Sequence, residues 1–175
     1  MIEDFTTFGS PEYCVLLACV TFSRAMDFLS TWVATPNLLL EANPLARKMG
    51  WKLGIVINLI LCFLFSLWPL PAVVITTTSL LVAARNFQSA WLMRTMGEVN
   101  YRLWMTERLT QAPRRLFLGC LIAQAILFVL LGLGLIFFSG WHLVPFGVGM
   151  GMITYAAAVG GYTTLSVWRL AFRRL

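Results

Sequence analysis

Read for its hydrophobic pattern, the chain divides into five long apolar segments separated by short polar breaks. They run roughly over 12–34, 51–69, 71–92, 115–138 and 143–168. A helix needs about 20 apolar residues to cross a hydrocarbon core of about 30 Å, and each segment is of that length. The second continues a shorter helix that begins near Pro44. Trp68-Pro69-Leu70-Pro71 forces a tight turn into the third, because proline lacks the amide N–H and clashes with the preceding turn. Gly140-Trp141-His142, ending at Pro145, does the same between the fourth and fifth. No segment alternates apolar and polar residues as a membrane β-strand does. The pattern predicts an all-α fold, a polytopic membrane helical bundle of five transmembrane helices forming one domain over residues 1–175.

The stretch from Glu98 to Arg115 is too polar to span. Val99, Leu103, Thr106 and Leu109, with Trp104 and Met105 nearby, make an apolar stripe at helical spacing, opposed by Arg102, Glu107 and Arg108. An amphipathic helix over about 98–113 follows, lying on the cytoplasmic leaflet or packed as a loop helix under the bundle.

Composition excludes the water-soluble classes. Of 175 residues, 59% are hydrophobic and 11% charged, with a mean hydropathy of +0.81, whereas soluble domains carry about 25% charge. The basic residues then orient the chain. Arg47, Lys48 and Lys52 follow segment one; Arg94, Arg102, Arg108, Arg114 and Arg115 follow segment three; Arg169, Arg173 and Arg174 follow segment five. With five spans these eleven of the thirteen basic residues share one side, and Glu3, Asp4 and Glu12 lie on the other. The positive-inside rule places the N-terminus outside and the C-terminus in the cytoplasm, as a multi-pass protein of the cell inner membrane. Trp32, Trp51, Trp68, Trp91, Trp141 and Trp168 fall near segment ends, as interfacial aromatics do. The acidic start is unlike the basic n-region of a cleaved signal peptide, so a retained N-terminus is expected. The net charge of +6 calls for the lipid bilayer and anionic lipid head groups at the cytoplasmic arginines as partners, and for no nucleic acid. Cys14, Cys19, Cys62 and Cys120 lie in apolar stretches without C-x-x-C spacing, which reads as small buried hydrophobes rather than a disulfide or zinc framework.

Two basic residues escape this sorting. Arg24 lies in the middle of segment one and Arg85 in the middle of segment three. A charge at mid-bilayer costs at least about 2.5–3.5 kcal/mol on insertion scales, so such residues face the bundle interior and find partners. Asp27 follows Arg24 by three residues on the same helical face. Asn58 is in the middle of segment two, and Asn86 and Gln88 follow Arg85. Convergence of these faces would join Arg24, Asp27, Asn58, Arg85 and Asn86 in one buried polar cluster. That cluster reads either as an ion pair that fixes helix packing or as a substrate, proton or ion site. In Glu41-Ala42-Asn43-Pro44, Asn43 is a favoured N-cap and Pro44 a favoured first helical residue. Glu41 precedes that helix N-terminus, where negative charge is stabilised. The largely apolar connection from Thr35 to Glu41 points to a shallow re-entrant or interfacial path. Asp27, Glu41 and Asn43 could then offer hard oxygen ligands to a common cation or a polar ligand.

The run FSRAMDFLSTWVATPNLLLEANPLARKMGWKLGI, with Asp27, Ser30, Thr31, Glu41-x-Asn43-Pro44-Leu45 and Lys52, resembles an uncharacterised family of small prokaryotic polytopic membrane domains over about residues 20–60. That family carries an Asp followed by Ser/Thr in its first helix and an E-x-N-P turn opening the second. The resemblance implies a helical membrane domain and no established activity. Arg24 and the polar third segment depart from its pattern.

His142, the single histidine, sits beside Trp141 at the outer interface as a hydrogen-bonding residue, and by itself names no cofactor. Gly147-x-x-x-Gly151, Ala156-x-x-x-Gly160 and Ala157-x-x-x-Gly161 allow close helix approach in segment five, within the monomer or in a homo-oligomer or membrane complex, with Gly132 and Gly134 in segment four as natural neighbours. No metalloprotease, serine-hydrolase, P-loop or paired-metal signature occurs, so no catalytic residue is assigned. The expected function is a non-enzymatic module that binds or passes a polar ligand or ion through Arg24, Asp27, Glu41, Asn43, Arg85 and Asn86. An accessory or scaffold subunit of a larger membrane complex is the alternative, and a lipid-modifying enzyme the third reading.

Overall fold

The computed structural model describes residues 5–41 and 43–172. Glu3, Asp4, Arg173 and Arg174, and the side chains of Arg114, Trp168 and Arg169, lie outside the described residues. The chain forms α1 (Pro11–Ala34), α2 (Pro44–Phe65), α3 (Pro69–Met96), α4 (Glu98–Gln111), α5 (Arg114–Phe137) and α6 (Leu143–Phe172), with no strand among the described residues. All but α4 are long and apolar enough to cross a membrane.

Local chemistry sets the helix ends. Ser10 accepts from the Tyr13 N–H at 3.1 Å and Pro11 opens α1. Asn43 Oδ1 accepts from the N–H groups of Leu45 at 3.0 Å and Ala46 at 3.5 Å, and Pro44 opens α2, as the cap pattern in the sequence anticipates. Gly50 bends α2 with φ 70° and ψ −179°. Gly97, with φ 77°, ends α3 and begins α4. A side chain at either glycine would be forced into a backbone region that only glycine occupies freely. The third segment runs to Met96, so Arg94 belongs to the last turn of α3 instead of to the connection after it.

The helices stand in the spatial order α2, α1, α3, α6, α5, with α3 central. Arg24 meets Ser79 and Thr31 meets Asn86, so α1 and α3 run parallel. Gly147 lies against Val73 and Gly151 against Thr77, so α3 and α6 are parallel too. Arg24 meets Asn58 and Tyr13 reaches Phe63, which makes α2 antiparallel to α1. Gly132 faces Gly149 and Phe128 packs on Tyr155, which makes α5 antiparallel to α6. The N-terminal segment closes one end, where Thr6 donates from N and Oγ1 to carbonyls of the α2–α3 turn and Phe5 packs edge-on to Trp68.

Apart from Tyr13, Val20 and Tyr155, the buried positions of the spans are mostly small side chains, and the exterior is made of large apolar ones. Ser23, Ser30 and Ala34 on α1 and Ala72, Ser79, Ala83 and Ala90 on α3 are buried. Leu127, Leu130 and Leu131 on α5 and Ile60 and Phe63 on α2 are exposed. This inversion suits a bundle in lipid, where helices associate through close packing of small residues instead of by hiding apolar surface from water. It also corrects the reading of the cysteines. Cys62 is buried, but Cys14, Cys19 and Cys120 are exposed free thiols, because a lipid-facing exterior is as hospitable to a small apolar side chain as the core is. Of the glycines in α5 and α6, Gly132, Gly147, Gly149 and Gly151 are used in packing within the chain, whereas Gly119, Gly134, Gly160 and Gly161 have nothing within 4 Å.

Candidate functional site

Arg24 stands about 20 Å along α1 from Pro11 and about 15 Å from Ala34, at 1.5 Å rise per residue. Its guanidinium ties three helices together. Nη1 donates to Asp27 Oδ2 at 2.8 Å and to Ser79 Oγ of α3 at 3.2 Å, and Nε donates to Asn58 Oδ1 of α2 at 2.8 Å. Nη2 donates to the same Asn58 oxygen. Asn58 is held for this task by its own Nδ2, which donates to the Gly54 carbonyl at 2.8 Å. Phe28 lies 5.8 Å from the guanidinium carbon, and its ring edge packs on Gly54. The ion pair is not sealed, since the Arg24 and Asp27 side chains keep 29% and 17% of their surface. Among the described residues Asp27 Oδ1 accepts no hydrogen bond.

A polar column continues from Asp27 toward the C-terminal end of α1. Ser30 Oγ donates to the Asp27 carbonyl at 2.8 Å, and Asn86 Nδ2 of α3 donates to Ser30 Oγ and Thr31 Oγ1 at 3.3 Å each. Asp27 is also within electrostatic range of the Glu41 carboxylate. Glu41 Oε1 accepts the Asn43 N–H at 2.8 Å, while Asn43 Oδ1 is taken up by the α2 cap. No group of three His, Cys, Asp or Glu residues is placed to hold a metal ion among the described residues.

The expected single cluster thus holds for Arg24, Asp27 and Asn58, with Asn86 joined below it through Ser30. Arg85 departs. Successive helical residues point about 100° apart, so with Asn86 turned to α1, Arg85 turns to α6. There Nη2 donates to Thr163 Oγ1 at 3.3 Å, and Nη1 is buried without an acceptor. Gln88 is exposed.

Glu98 is a residue that the sequence pattern did not single out. It is 8% exposed. Oε1 accepts from the Asn37 N–H at 2.8 Å and from Asn37 Nδ2 at 3.3 Å, and Oε2 accepts from the Leu39 N–H at 3.1 Å. Trp51 Nε1 donates to the Pro36 carbonyl at 2.8 Å, and Thr35 Oγ1 accepts from the Leu40 N–H at 3.1 Å. These bonds hold the connection between α1 and α2 as a compact loop, including the left-handed Leu38 at φ 56°, a conformation that costs a bulky residue about 1–2 kcal/mol. Its one legible signal is an acid in the first turn of a helix that follows a glycine break, a position the helix dipole favours. On the same helix, burial pushes the Tyr101 phenol above its ordinary pKa, so it stays neutral well past physiological pH.

In chemical terms, the structure offers a carboxylate with one oxygen tied to a guanidinium and one open, at the middle of an apolar helix, and a line of hydroxyl and amide groups leading from it to one end of the bundle. Comparison of the chain with protein-family models, curated proteins and solved structures finds no match.

Proposed function

We propose that the chain is a multi-pass inner-membrane protein that acts without catalysis, binding or passing a small cation or other polar ligand at Asp27. The observation that carries this reading is the open Asp27 Oδ1 in mid-helix beside a guanidinium that already neutralises the other oxygen. The Glu41 carboxylate, within electrostatic range, supplies the further negative charge that would balance a bound cation. Ser30, Thr31 and Asn86 form a hydrogen-bonded polar group next to it, on the side toward the C-terminal end of α1. The likeness of residues 20–60 to small prokaryotic membrane domains belongs to the same proposal.

The wild-type chain in proteoliposomes is expected to dissipate an imposed proton, sodium or potassium gradient, and Asp27→Asn to remove at least nine-tenths of that flux, about 1.4 kcal/mol in the tenfold convention, while still folding. Equal flux in both, or no flux together with a second protein co-purifying stoichiometrically in mild detergent, would instead favour the scaffold reading.

In this proposal the N-terminus is outside and the C-terminus cytoplasmic, because eleven of thirteen basic residues then lie on the cytoplasmic side. A reporter fused after Arg174 should be active only in the cytoplasm, and one active outside would sink the orientation.

A further inference from the structure

We infer that the recess between the ends of α1, α3 and α4 binds the phosphate of an anionic membrane phospholipid through Arg94. The inference rests on the membrane reading above and is independent of what Asp27 does. The recess has a volume of about 290 Å³ and is lined by Ala34, Leu39, Met93, Arg94, Glu98 and Val99 among others.

Its two charged groups differ in what they have left to offer. The Glu98 carboxylate is spent on three N–H donors of the 37–39 loop. The Arg94 guanidinium lies over the Trp32 ring, 5.5 Å from its centroid, and among the described residues it donates no hydrogen bond and joins no ion pair. A guanidinium held over a ring in this way spends none of its N–H donors, and their fork matches two phosphate oxygens.

The surroundings select a lipid over a soluble phosphate. Arg94 and Trp32 sit in the last turns of α3 and α1, the level at which aromatic belts and head groups meet. Apolar side chains of the recess face outward, with Leu39 46% and Val99 62% exposed, and one turn away on α3 and α4 Trp91 and Leu103 are 67% and 65% exposed. Such a surface suits acyl chains descending from a head group held at Arg94. Arg47, Lys48, Arg102 and Arg108 at the same end are exposed and enrich anionic lipid there.

Purified protein loaded with equal amounts of phosphatidylglycerol and phosphatidylcholine of the same chains, then examined by native mass spectrometry, should retain the anionic lipid about tenfold more. Arg94→Gln should erase that preference, and Arg102→Gln, which removes one surrounding charge and no group lining the recess, should keep most of it. Val99→Asp, at an exposed position where folding is not at stake, should erase it as well by placing a negative charge in the recess. Retention unchanged by both Arg94→Gln and Val99→Asp would overturn the inference. Displacement of the lipid by millimolar inorganic phosphate would overturn it too, by showing a phosphate site without lipid preference. A reporter placing the C-terminus outside, with lipid retention still dependent on Arg94, would contradict the topology and leave this site standing.

Discussion

Replacing Arg24 with leucine is expected to destabilise the protein by about 3 kcal/mol, the low end of the cost of stranding a buried carboxylate without its cation, because Asp27 keeps 17% of its surface. The change strips donors from Asp27 Oδ2, from Asn58 Oδ1 and from Ser79 at once, so the contacts of α1 with α2 and with α3 both loosen. Arg24→Leu with Asp27→Leu should recover most of the loss, because an apolar pair of similar volume replaces an ion pair at little cost. Arg85→Leu serves as the control. Arg85 has one 3.3 Å bond and a buried, unsatisfied Nη1, so its removal is expected to change stability by less than about 1 kcal/mol or to raise it. Denaturation in detergent, followed by helical circular dichroism, measures the three variants against wild type. An Arg24→Leu melting curve that overlays that of Arg85→Leu would show that the three-helix contact does not hold the bundle.

The second large effect lies at the α5–α6 contact. A Cβ added at Gly149 would stand 2.5 Å from the Gly132 carbonyl oxygen, and one added at Gly132 would stand 2.6 Å from that of Gly149. Both obstacles are backbone, so the helices must separate. Gly149→Leu is expected to cost about 3 kcal/mol, the upper part of the ordinary range for overpacking. Gly134, two residues beyond Gly132 on α5 and so on its far face, has nothing within 4 Å, and Gly134→Ala should gain up to about 1 kcal/mol from helix propensity alone. Opposite signs at two glycines of one hairpin identify the contact. If both changes are neutral, α5 and α6 do not approach each other in this register.

What could be read from the sequence follows from the range of the interactions involved. Helix ends depend on neighbours a few residues away, so the Asn43-Pro44 cap, the turn at Trp68-Pro69 and the Arg24–Asp27 pair were legible, each within three residues. Pairing between helices depends on rotation and register, which a chain of apolar residues leaves almost unmarked. Arg85 and Asn86 are adjacent, yet one turns to α6 and the other to α1, and only the packing of α3 between them decides which. Glu98 binds a loop about sixty residues earlier, and nothing local distinguishes it from any acid in a first helical turn. Ser23 and Ser30 of α1 and Ser79 and Ala83 of α3 are buried as well, without the glycine spacing that marks α6. In a membrane bundle, small residues of any kind serve for close approach, so glycine is the visible part of a wider pattern.

The central claim is that Asp27 is a binding group as well as half of an ion pair. The most direct measurement is the melting temperature of purified wild type and Asp27→Asn across a series of sodium, potassium and magnesium concentrations, each at pH 5, 7 and 9. The wild type is expected to gain stability with one of these ions as RT ln(1 + [L]/Kd), about 2.7 kcal/mol at one hundred times Kd, and Asp27→Asn to fold but show no such gain. A wild-type curve that none of the ions or pH values moves, alongside an Asp27→Asn protein that is simply less stable throughout, would contradict the claim and leave Arg24 and Asp27 as a structural pair.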